Sequence, residues 1–200
     1  MQAEARVGLI SAASGSVNPL RSNIEGALVV QACGGKYAEA TNNGQVYHIC
    51  NQAAVALTAA LTTTYTGLVI GNAAGTGKNL VMLGCGYACT VAVPTATVLG
   101  IMGGTMTAVA SALTPVNCKI GGAASIAWAE DSCTIGTPVL YRAFATAWTE
   151  ATTVGTLGHP NWIDLEGSII VTPGSFVAFY SAAANTAAFL LSFLWQEVDA

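Results

Sequence analysis

The chain has 200 residues, 53% apolar and only 8% charged, with a formal net charge of −4. That length suits one domain with a sizeable core, and six Lys and Arg without a basic cluster exclude a phosphate-tracking surface, so no nucleic-acid partner is expected. Mean hydropathy is +0.57, yet the apolar window at residues 80–92 is broken by Gly84, Gly86 and Thr90 and stops at Pro94, short of the roughly 20 residues of a spanning helix; no membrane partner is expected.

Residues 1–25 are predicted to be an extended arm. Glu4 and Arg6 precede an apolar run far too short for a secretory signal, and Asn18-Pro19 favours a turn. From residue 26 to 200 the pattern is that of short strands and tight turns in a single domain. Residues 27–33 end at Gly34-Gly35, and residues 36–41 end at Asn42-Asn43-Gly44, both pairings that favour hairpins. Residues 45–49 alternate, residues 53–61 lean to strand through the β-branched run that follows, and residues 72–79 form a loop. Further strands are predicted at 80–93, 98–102, 105–113, 124–129, 138–148, 162–171, 176–181 and 187–198, with Pro173-Gly174 as a tight turn between two of them. In the last strand Phe189, Leu191, Phe193 and Trp195 share one face, and Leu190, Ser192, Leu194 and Gln196 the other. Both faces are mostly apolar, which predicts a strand lying between a core and a partner surface. The order of elements predicts an all-β fold, an antiparallel β-sandwich of jelly-roll-like type.

Little in the sequence points to chemistry. The run Asn72-Ala73-Ala74-Gly75-Thr76-Gly77-Lys78-Asn79 imitates a phosphate-binding loop, but Asn72 stands where Gly is needed and Asn79 where Ser or Thr would hold magnesium. His48 and His159 belong to no ligand motif, and cysteines 33, 50, 85, 89, 118 and 133 form no CxxC pair and read as reduced, buried thiols. Asp164 and Glu166 at i, i+2 on one predicted strand face suit solvation of a sheet edge, and Glu130-Asp131 falls in a predicted loop. The four tryptophans, 128, 148, 162 and 195, are widely spaced among apolar residues and read as packing rather than a sugar platform. No enzyme activity, cofactor or metal is expected.

From residue 40 to residue 118 the only charged side chain is Lys78, whereas about a quarter of a soluble domain is usually charged. Thr, Ala, Ser, Gly and Asn fill positions that Lys, Glu, Asp and Arg would occupy on a free surface. Charge is depleted where one protein covers another. The composition therefore predicts a chain that works packed against copies of itself or a larger assembly.

Two segments carry a resemblance: Asn51-Gln52-Ala53-Ala54-Val55-Ala56-Leu57-Thr58 running on to Gly77-Lys78-Asn79-Leu80, and Trp162-Ile163-Asp164-Leu165-Glu166-Gly167-Ser168-Ile169 through Pro173-Gly174-Ser175-Phe176-Val177-Ala178. They resemble structural virion proteins of tailed bacteriophages, over about residues 44–198. The resemblance implies a capsid decoration, or cement, protein: a homotrimer on the outer capsid surface, assembled in the host cytoplasm, that bridges major capsid protein subunits. Within that expectation, Phe176, Phe179, Tyr180, Phe189, Phe193 and Trp195 are the expected subunit contacts, the arm supplies contacts to the shell, and a receptor- or glycan-binding or tail-associated module is the alternative.

Overall fold

A computed structural model describes residues 35–90, 96–106, 112–147 and 161–200. By internal contacts the chain divides into a unit of residues 1–39 and a unit of residues 40–200. The expected arm, the strand expected at 27–33, Cys33, Trp148 and His159 lie outside the described residues.

The described part opens with a single helical turn, α1 (Ala38–Asn42), where a strand was expected. Its end explains the difference. Gly44 takes φ 72°, its N–H donates to Thr41 O at 2.9 Å, and the Gln45 N–H donates to Ala40 O at 3.0 Å. That is a glycine-terminated helix cap with its 5→2 and 6→1 bonds. Asn43-Gly44 thus closes a helix instead of turning a hairpin.

Twelve strands follow: β1 (Val46–Cys50), β2 (Val55–Leu57), β3 (Thr64–Asn72), β4 (Lys78–Cys89), β5 (Thr97–Thr105), β6 (Val116–Asn117), β7 (Ala127–Thr134), β8 (Val139–Ala147), β9 (Trp162–Asp164), β10 (Ile170–Val171), β11 (Ser175–Ser181) and β12 (Asn185–Asp199). Their pairing is nested and antiparallel: β1 and β2 with β12, β3 with β11, β4 with β9 and β10, β5 with β8. This is one long hairpin rolled upon itself, closed where β12 also pairs with β4 and β11 with β5. Two sheets result, a seven-stranded one ordered β10-β4-β12-β1-β6 with β2 on β12 and β9 on β4, and a five-stranded one ordered β7-β3-β11-β5-β8. The chain is an all-β antiparallel sandwich of jelly-roll type. Between β5 and β8, β6 and β7 widen the two sheets, one beside β1 and the other beside β3.

Period-two alternation builds the core. Leu68 and Ile70 of β3, Leu99 and Ile101 of β5, and Val177 and Phe179 of β11 meet Leu80, Met82 and Cys85 of β4 and Phe189, Leu191, Phe193 and Trp195 of β12. The Phe179 and Phe193 rings touch across the sheets at 4.6 Å between centroids, and Phe144 meets Phe179 edge-on at 6.3 Å. The opposite face of the five-stranded sheet carries a second buried cluster, with Tyr65, Val69, Met102, Trp128, Phe176 and Ala178. There Gly71 is required, since any Cβ would run into the Trp128 indole.

The strand expected over 162–171 is interrupted. Glu166 (φ 50°) and Gly167 (φ 77°) form a primed turn closed by Ser168 N–H to Leu165 O at 2.8 Å. Leu83 O accepts from both Leu165 N–H and Glu166 N–H, at 2.8 and 3.1 Å. The excursion drops Leu165 into the core. Asp164 and Glu166 therefore do not share a strand face.

Candidate functional site

The residues expected at a subunit contact are accounted for within one chain. Phe179, Phe189, Phe193 and Trp195 are fully buried between the sheets, and Phe176 is buried in the second cluster. Only Tyr180 is half-buried. A second copy has no surface to cover at the buried five, four of them enclosed between the sheets and Phe176 within the second cluster. The two-faced pattern of β12 was legible; which face turned inward was not.

The phosphate-loop lookalike is a connection between β3 and β4, with a strand after it. Asn72 organises it, donating to Lys78 O at 2.6 Å and Val171 O at 3.1 Å and accepting from Thr76 Oγ1 at 2.6 Å. Lys78 pairs with Asp199 at 3.1 Å on the surface. Glu130, expected in a loop, lies buried on β7, where it accepts from Ala112 N–H at 3.2 Å and Asp131 N–H at 3.0 Å. Glu197 is likewise buried and accepts from Ser125 Oγ at 2.5 Å and Ile126 N–H at 3.0 Å, fixing the approach to β7. These carboxylates hold backbone in place, a structural use.

Cys50, Cys85, Cys89, Cys118 and Cys133 are free thiols. Burial raises all five, Cys85 to about 12 and Cys133 to about 11, the latter with help from Glu130 and Asp131. They are protonated and poorly nucleophilic near neutrality. Among the described residues no group of three or more His, Cys, Asp or Glu is placed to hold a metal ion, and no helix is long and apolar enough to cross a membrane.

Two surface features stand out. The first is a cleft of about 260 Å³ between the sheet edges, lined by Gly103, Tyr141, Ile170, Val171 and Phe176 among others. Tyr141 is 62% exposed and Ile170 54%. Val139, 61% exposed, pairs with the cleft residue Gly103. Tyr141 falls at a register shift of β8, so the strand curls as it passes.

The second lies on the outer face of the seven-stranded sheet. Trp162 of β9 pairs with Gly86, and Asp164 with Gly84. A Cβ on either glycine would collide with the indole, so the ring lies across both. Its Nε1 donates to Asp164 Oδ1 at 3.1 Å, and the residue is 44% exposed. Ser192 and Leu194 of β12 pair with the same two glycines, and Cys50 and exposed His48 of β1 continue the rows. The sequence signal for this bed is Gly84-x-Gly86, two bare positions on one strand face; among apolar neighbours it reads as an interruption of a strand. Trp128 and Trp195 are buried as packing residues, whereas Trp162 is not. No protein-family profile, curated protein or solved structure matches the chain.

Proposed function

We propose that this chain is a structural virion protein that self-associates, as a homotrimer, and decorates the outer surface of a bacteriophage capsid by bridging major capsid protein subunits. The observation that carries the proposal is the scarcity of ionic side chains, with Lys78 alone between residues 40 and 118. A closed symmetric oligomer covers such a surface. The phrase-like resemblance of residues 51–58 and 162–178 to phage structural proteins supports the particle setting. The subunit contact moves from the buried aromatics to exposed apolar residues, Tyr141 of β8 and Ile170 of β10 in the cleft and Val139 and Leu140 preceding Tyr141 on β8. Cementing rests on many modest contacts made together.

The test is the copy number and position of the protein on purified particles, with the sedimentation of the isolated protein alongside. Hundreds of copies at symmetric positions between capsomers, and a trimer in solution, are the expected results. A stable monomer at micromolar concentration that is absent from particles overturns the reading.

A further inference from the structure

The geometry points to a binding platform for a neutral sugar ring on the outer face of the seven-stranded sheet, with Trp162 at its centre. Three observations carry it. First, the indole is pre-positioned. One face is bedded on Gly84 and Gly86, Nε1 is tied to Asp164 at 3.1 Å, and 44% of the residue stays open to solvent. A ring held on its back and at its edge loses little freedom when a ligand stacks on the open face. The electron-rich face of an aromatic ring attracts weakly positive C–H groups, which the apolar side of a pyranose presents together.

Second, a hydroxyl partner is at hand. Ser192 Oγ and the indole Cε3 lie 3.0 and 2.8 Å from the point where a Gly86 Cβ would stand, so they flank the same bare spot. Ser192 Oγ donates to Gly86 O at 3.3 Å and keeps acceptor capacity for a sugar O–H. Exposed His48 follows in the row Gly84, Leu194, His48. From β9 to β1 is three strand spacings, ~14 Å, room for a short oligosaccharide.

Third, the charge is wrong for other small ligands. The strands that make this face, β9, β4, β12 and β1, carry Asp164, Lys78, Glu197 and Asp199, and Lys78 is paired with Asp199 at the far end of β4. Among the described residues of these four strands, none places a cation beside the indole to select a phosphate or carboxylate. Nor is the ring flanked by a second aromatic ridge on these strands' outer positions, as a proline-helix groove would need. The site lies on the opposite sheet from β8 and does not depend on self-association.

The experiment titrates the full chain with neutral saccharides (glucose, galactose, mannose, N-acetylglucosamine and their short oligomers), following tryptophan fluorescence and ligand-observed NMR. A polyproline peptide and inorganic phosphate serve as competing probes. The expected result is saturable binding to at least one saccharide at ~1 mM. It weakens tenfold or more in Trp162→Ala and several-fold in Asp164→Asn, and it survives in part in Trp162→Phe. The phenylalanine variant keeps a ring over the glycines, so it carries the test if Trp162→Ala fails to fold. No saccharide binding by the folded protein, saturation by peptide or phosphate alone, or binding unchanged by both Trp162 variants each overturns the proposal.

Discussion

Asn51 ties the connection between β1 and β2 to β12 with one side chain. It is buried, its Nδ2 donates to Phe189 O at 3.1 Å and to Ala53 O, and its Oδ1 accepts from Leu191 N–H at 2.5 Å. Asn51→Ala leaves a buried donor and a buried acceptor of β12 without partners, at about 1–3 kcal/mol for each such group. A loss of about 2–6 kcal/mol is expected, seen as a lower urea midpoint at unchanged slope. Cys85 makes a different prediction. Burial lifts its thiol from 9.0 to about 12, so the unfolded chain gives up that proton first. The resulting stability is whole below about pH 9 and is lost as pH rises toward about 12. Thermal midpoints taken from about pH 8 to about pH 11 should fall less steeply in Cys85→Ala than in the parent. Buried Tyr65, raised well above its usual value by the same desolvation, keeps some slope in the variant.

At the scale of elements, β8 is where a partner copy is proposed to sit. It edges its sheet and carries one charge, Arg142, with few of the devices that keep edges apart. Val139→Lys or Tyr141→Lys puts a charge on an exposed position, so the isolated fold should change by less than about 0.5 kcal/mol. Sedimentation velocity should show the oligomer dissociating all the same; an unmoved oligomer would clear β8 of that role. Strand alternation was legible wherever one apolar row faced a mixed one, and β12 comes out with the two rows read from it. The face of β12 that turns inward was not, because Leu190 and Leu194 are as apolar as Phe189 and Phe193, and packing across the sheets decides. Asn43-Gly44 misled for a related reason: a positive φ serves a hairpin and a helix cap equally, and only the distant carbonyls tell them apart. The Trp162 bed was hidden because its halves, residues 84–86 and 162–164, meet only through the β4–β9 ladder.

For the molecule as a whole, nested pairing places partners far apart along the chain, with Val46 opposite Gln196 at the extreme. Closing such loops before contacts reward them makes folding slow, ~ms to s or longer for topologies of this kind. Stopped-flow refolding from urea should fall in that range, and a microsecond phase carrying the full amplitude would contradict the nesting. Removal of residues 185–199 takes away the neighbour of β1, β2 and β4 together. Such a chain should give a coil-like far-UV spectrum and no cooperative urea transition. The same placement bears on biosynthesis. While translation has yet to reach β12, the emerged strands offer water the side chains of Leu80, Met82 and Cys85, with scarcely any ionic gatekeepers between them. Yield in a foreign host should then hinge on holdase capacity and cool, slow expression more than on the stability of the finished product.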